Sequence, residues 1–231
     1  MTRPKLADLF CCEGGAGVGY HRAGFDVTGV DLDPKYAKRY PFKFIAADAI
    51  EFVKEHGHEY DVIHASPPCQ HASIATSSLD RSKYPRLIEP TREVLMASGK
   101  PYVIENVTGS ALRSPLMLCG SMFDLTAVDD DGTPLRLERH RLFESNMLIY
   151  APRPDFHDKT VQVAGSYGGA RRDKVEARTV RHGGYVPSAA VQRQLLGIDW
   201  MTQNGMHQSI PPVYTQWVGQ LIGWSLYWST A

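Results

Sequence analysis

Five short, mostly apolar runs, at residues 6–10, 27–30, 44–47, 61–65 and 102–104, punctuate the first half of the chain. The first leads into a Gly-rich stretch at 13–19, which reads as a turn before a helix, and a helix-like segment at 50–55 follows the third. Strands alternating with helices predict an α/β fold with a doubly wound, mainly parallel sheet of Rossmann-like type. In such sheets ligands gather at the carboxyl ends of the strands. The polar residues of this half fall at those ends: Asp31, Asp48, Ser66-Pro67-Pro68-Cys69 and Glu105-Asn106-Val107.

The pattern changes after about Asp124. An acidic stretch at 129–131 followed by Gly132 is a turn, residues 136–143 alternate basic and apolar side chains like one strand, and 151–154 is a Pro-rich joint. Residues 165–184 hold five basic side chains (Arg171, Arg172, Lys174, Arg178, Arg181) against two acidic ones, which makes a small basic lobe. Residues 189–196 read as a helix stopped by Gly197, and 213–226 as an apolar helix after Pro211-Pro212.

A chain of 231 residues with 43% hydrophobic composition supports one full domain and at most a small second lobe. Lysine and arginine total 25, as do aspartate and glutamate, so binding to nucleic acid must come from a local patch and a histone-like binder is excluded. Cys11, Cys12, Cys69 and Cys119 show no spacing that reads as a zinc site or disulfide framework, so a reducing, cytoplasmic setting and no metal are expected. No run approaches the roughly 18 apolar residues of a membrane span, so no membrane association is expected.

The glycines at 14 and 15 follow a strand, where backbone can turn tightly and approach a ligand. Asp31 closes the second strand and is placed to accept from ribose hydroxyls. Asp48 suits either an adenine amino group or a helix N-cap. Ser66-Pro67-Pro68-Cys69-Gln70 is the sharpest feature. Two prolines fix the backbone and hold the following thiol at the top of a strand as a nucleophile. Glu105 ends another strand at the same edge. A thiol beside a carboxyl group suits conjugate addition to a pyrimidine, with the carboxyl at ring N3 and the thiolate at carbon-6.

Taken in order, Asp8-Leu9-Phe10…Gly14-Gly15, Asp31, Asp48, Pro67-Pro68-Cys69-Gln70, Glu105-Asn106-Val107, Arg139-His140-Arg141 and Ser209-Ile210-Pro211-Pro212 resemble the DNA cytosine carbon-5 methyltransferase family, in a compact, phage-like form. The resemblance implies an S-adenosylmethionine-dependent methyltransferase acting on DNA, expected to be double-stranded. Cys69 would be the nucleophile and Glu105 the N3 ligand, with Arg139 and Arg141 holding the flipped nucleotide. Phe10, Gly14, Gly15, Asp31, Asp48, Pro67, Gln208 and Ser209 would bind the donor. Gln70 and Asn106 would meet DNA together with the five basic residues of 165–184.

On this reading residues 1–141 form the donor-binding and catalytic domain, 142–188 a reduced target-recognition region and 189–231 a segment returning to the catalytic domain. Cys12-Glu13, Leu137 and His207-Gln208 depart from the family's usual residues. The first and last of these departures lie near the donor site, which leaves open a donor derivatised on sulfur. An RNA (tRNA) cytosine methyltransferase and a catalytically silent nucleic-acid-binding protein of the same fold are the alternatives.

Overall fold

The computed structural model describes residues 2–68, 86–166 and 185–228. Five parallel strands, β1 (Lys5–Leu9), β2 (Asp26–Asp31), β3 (Lys43–Ala46), β4 (Val62–Ala65) and β5 (Tyr102–Asn106), are joined by β6 (Leu116–Leu118) and β9 (Arg141–Ser145) in one sheet. Its order is β3-β2-β1-β4-β5-β9-β6, with β9 antiparallel to both neighbours. The order reverses between β1 and β4, which opens a crevice at their carboxyl ends. The strands match the apolar runs, because both faces of this sheet are covered and each run must be apolar on both sides.

Alternate side chains divide between two cores. Leu6, Val27, Val62 and Val103 pack with Tyr20 of α1 (Gly15–Arg22) and with Tyr214, Val218 and Ile222 of α6 (Pro212–Trp228). Ala7, Leu9, Ile63 and Ile104 pack with Phe52 and Val53 of α2 (Ala49–His56) and Leu95 of α3 (Ile88–Ala97). On α3 the fully buried Arg92 pairs with Glu144 of β9 through two bonds of 2.7 and 2.8 Å, fixing the antiparallel strand against the parallel part.

Residues 13–19 are not one turn. The helix starts at Gly15, and Gly19 serves contact with α6, since a Cβ there would lie 2.0 Å from Thr215 Oγ1, whereas Gly17 admits Tyr40 and Asp8. Thr215 in turn donates to the Ala16 carbonyl at 2.9 Å.

Residues 136–143 are likewise not one strand. β8 (Pro134–Leu137) belongs to a second sheet of order β10-β8-β7, with β7 (Thr126–Val128) and β10 (Gln162–Ala164), whereas β9 returns to the main sheet. The chain changes sheets at Arg139, whose φ of 35° is left-handed. The small sheet packs Leu135, Leu137 and Ala164 against α4 (Ala189–Leu196) and Met206 of α5 (Gln203–Gln208). Gly197 stops α4 with φ 68°, as its position in the sequence predicts. Among the described residues no helix is long and apolar enough to cross a membrane.

Candidate active site

The site is assembled at the carboxyl edge of the parallel strands. Beyond β1 the chain passes through Phe10, Cys12 and Gly14, all left-handed with φ of 57°, 46° and 91°. Two of these are not glycine, and such strained backbone persists only where its surroundings fix it. Asp31 supplies part of that fixing: its Oδ2 accepts from the Cys12 N–H and its Oδ1 from the Asp33 N–H, each at 3.0 Å. Gly15 sits where a Cβ would come 2.9 Å from the Ile210 carbonyl and 3.1 Å from Ser209 Cβ. The first glycine turn and the closing segment therefore touch. Asp48 is the N-cap of α2, its Oδ1 accepting from the Ile50 and Glu51 N–H groups.

Glu105 and Asn106 form the buried end of β5. The Asn106 amide donates to the Pro67 carbonyl at 2.8 Å, so this residue, expected to face DNA, is turned inward and holds the Pro67-Pro68 segment that precedes Cys69. Because β9 runs antiparallel, its first residue lies at the same edge, and Arg141 Nε is 3.2 Å from Glu105 Oε1. Burial raises the Glu105 carboxyl above the usual carboxylate range, opposed in part by Arg141, the Ser66 hydroxyl and Arg139. A carboxyl group so raised keeps its proton to higher pH than a free one.

A polar chain leads from Glu105 into the core. Ser66 Oγ is 2.9 Å from His64 Nε2, and His64 Nδ1 is 3.0 Å from the Tyr20 hydroxyl. His64 is fully buried and its pKa is pushed down to about 3, which keeps the ring neutral. Sequence reasoning passed over Tyr20 and His64. The available signal was a histidine at a fully buried strand position two residues before Ser66.

Arg139 does not face the edge as Arg141 does. It is buried, and its guanidinium donates to the carbonyls of Ser209 (2.9 and 2.5 Å), His207 (2.9 Å), Met206 (3.3 Å) and Ser166 (3.1 Å). It closes the C-terminal end of α5, where a cation opposes the helix dipole. Gln208 is exposed at that end, and the Ser209 hydroxyl donates to the Met206 carbonyl. Cys69, Gln70, Arg171, Arg172, Lys174, Arg178 and Arg181 lie outside the described residues.

The family described as C-5 cytosine-specific DNA methylase matches residues 4–111. Through these residues the chain is similar to that family. The matched stretch includes the glycine turn, Asp31, Asp48, Pro67-Pro68-Cys69 and Glu105, and leaves Arg139, Arg141 and Ser209 outside it. A type II methyltransferase, M.XorII of Xanthomonas oryzae pv. oryzae, is 32% identical over 124 residues. That alignment covers 47% of this chain and only 29% of the relative's length.

Among solved structures, a protein described as a DNA modification methyltransferase encoded within an E. coli prophage superposes with TM-score 0.62 at 15% identity, covering 97% of this chain and 99% of its own. The S. pombe Dnmt2 methyltransferase superposes with TM-score 0.59 at 12% identity, covering 99% and 100%. At such identities these likenesses show the α/β fold alone.

Proposed function

We propose that this chain is a DNA cytosine methyltransferase that transfers a methyl group from S-adenosylmethionine to carbon-5 of a cytosine flipped out of duplex DNA. The observation that carries the reading is the buried Glu105 carboxyl, raised by burial and paired with Arg141, at the same sheet edge as the Pro67-Pro68 that precedes Cys69.

The donor's adenosine fits what the edge offers. Each Asp31 oxygen accepts one backbone N–H and keeps a lone pair for a ribose hydroxyl, and Asp48 directs both capping bonds to Oδ1, leaving Oδ2 for an adenine amine. Gly14 and Gly15 would let backbone approach the donor, and Phe10, Pro67, Gln208 and Ser209 would complete its site. When bound, S-adenosylmethionine supplies an electrophilic methyl group on sulfur.

Cys69 adds to carbon-6 as the thiolate while Glu105 gives its proton to N3, so the electron pair of the 5,6 double bond moves to carbon-5. Arg141 holds the Glu105 carboxyl and stabilises it once it is ionised. After carbon-5 is alkylated, its proton leaves to a solvent base, the thiolate is expelled and N3 returns its proton to Glu105. Flipping the base costs a few kcal/mol, which phosphate contacts from Arg171, Arg172, Lys174, Arg178 and Arg181 in region 142–188, and contacts from Gln70, would offset.

Duplex DNA containing 5-fluorocytosine tests this, because fluorine cannot leave carbon-5 as a proton. The wild-type chain with donor should form a denaturation-resistant adduct and Cys69→Ser none. Transfer at wild-type rate by Cys69→Ser, or transfer to tRNA with none to duplex DNA, would overturn the reading. Mass spectrometry of the nucleoside identifies the transferred group.

A further inference from the structure

Away from the sheet edge, four donor residues of three chemical types converge on one point. Cys119 follows β6, His140 lies between Arg139 and Arg141, and Asp155 and His157 come from the stretch after the Pro-rich joint. Their ligand atoms all lie within 4.8 Å of one another. Cys119 Sγ is 3.3 Å from His157 Nε2, which is 3.1 Å from Asp155 Oδ1, and His140 Nε2 is 3.4 Å from Asp155 Oδ2.

Around a tetrahedral zinc ion with sulfur at about 2.3 Å and nitrogen or oxygen at about 2.0–2.2 Å, neighbouring donors stand roughly 3.3–3.6 Å apart. Three of these separations already fall close to that spacing. The surroundings also suit a metal. Ser121 donates its hydroxyl to Asp155, and the Glu138 carboxylate lies 3.6 Å from His157 Nδ1, the ring nitrogen a metal-bound histidine turns toward a carboxylate.

We propose that Cys119, His140, Asp155 and His157 form a structural zinc site. It departs from the expectation drawn from cysteine spacing, which is blind to a site with one cysteine and ligands scattered over 119–157. A thiolate with two imidazoles selects zinc over magnesium or calcium, and four protein donors leave no open coordination position. Binding releases the Cys119 thiol proton to solvent; with neutral imidazoles and an ionised Asp155 the centre carries no net charge. The ion would clip the 151–158 stretch, which leads into β10 and the basic lobe, to the sheet-switching turn that carries Arg139 and Arg141. The inference does not rest on the methyltransferase reading.

The full chain, expressed with zinc and purified without chelator or polyhistidine tag, should contain one zinc per chain by plasma mass spectrometry. Chelator-stripped protein titrated with Co²⁺ should show tetrahedral ligand-field bands and a thiolate charge-transfer band. Cys119→Ser should abolish the charge-transfer band. Because Cys119 is buried and its variant risks misfolding, the partly exposed pair is also changed: D155N with H157A should lose stoichiometric zinc while keeping its circular dichroism. Absence of zinc from wild type together with no cobalt spectrum, or full zinc retention by the folded D155N/H157A variant, would overturn the proposal.

Discussion

Glu13 clamps Thr202 across the molecule: its Oε2 accepts the Thr202 N–H and its Oε1 the Thr202 hydroxyl, both at 2.7 Å. The Trp200 indole N–H adds a bond to the Glu13 carbonyl at 2.8 Å. A Cβ on Gly205 would lie 2.3 Å from Glu13 Oε2, so only glycine admits this contact. Thr202 is the N-cap of α5, the helix that ends in His207-Gln208. Two departures from the family pattern, at Cys12-Glu13 and at His207-Gln208, thus belong to one packed unit beside the proposed donor site.

Glu13→Ala should therefore lower unfolding free energy by roughly 2 kcal/mol, the scale of buried hydrogen bonds to a charged group. It should also weaken S-adenosylmethionine binding, and Glu13→Gln should recover much of both, since an amide can accept from the N–H and donate to the hydroxyl. Calorimetry of the three proteins checks this. Unchanged melting and unchanged donor affinity in the alanine variant would sink it.

Asp8 and His64 are direct register partners on β1 and β4, fully buried, and both shifted by desolvation toward their neutral forms. Burial pushes Asp8 from 3.8 up to about 7 although Tyr40 donates to it at 2.9 Å, and His64 falls from 6.5 to about 3. The raised acid contributes stability that is complete below pH 4 and lost as pH rises through 7. The depressed histidine contributes stability that is present above 6.5 and lost as pH falls toward 3. Each amounts to about 4–5 kcal/mol, with opposite slopes between pH 4 and 6.5. Asp8→Asn removes the first slope alone, so denaturant melts of that variant should gain stability over this interval relative to wild type. Parallel pH profiles for the two proteins would contradict the assignment.

Arg141 Nε lies 3.2 Å from Glu105 Oε1. Glu105→Gln keeps a hydrogen-bond donor toward N3 but has no proton to give, so single-turnover transfer should slow by roughly 10²–10⁴. Arg141→Met removes the largest influence that lowers the Glu105 pKa, which should then rise further. In the proposed mechanism transfer requires Glu105 protonated and fails as pH rises through that pKa, so the alkaline limb of the pH–rate profile should move to higher pH in Arg141→Met while the rate falls. A limb shifted to lower pH would exclude Glu105 as its origin.

The parallel strands were legible because burial on both faces demands apolar runs, and strand ends followed from where the runs stop. Glu105 and Asp31 could be placed at the edge on that basis. The glycines of α1 were misread as a turn because the neighbours they admit are remote: α6 approaches Gly19 from nearly 200 residues downstream, and Tyr40 packs on Gly17. The continuity of 136–143 was misread because alternation is equally satisfied by two strands in two sheets, and nothing local shows that Arg139 caps α5. His64 was passed over because a lone histidine in an apolar run gives no sign of a partner such as Tyr20, 44 residues away.

Arg139 separates a structural from a DNA-facing role. Its guanidinium spends its donors on four carbonyls of Ser166, Met206, His207 and Ser209, three of them at the end of α5 or just beyond it. Deleting it strands these buried acceptors and removes the cation opposing the helix dipole, a loss of roughly 3 kcal/mol. Lysine, a point charge on a flexible stem, cannot reproduce a planar fork that reaches both Ser166 and Ser209. Arg139→Ala and Arg139→Lys should both melt lower than wild type. A residue that gripped phosphate would change the salt dependence of duplex binding by about one contact's worth of slope. The slope measured on folded Arg139→Lys should instead match wild type. A reduced slope with unchanged melting would return Arg139 to the DNA interface.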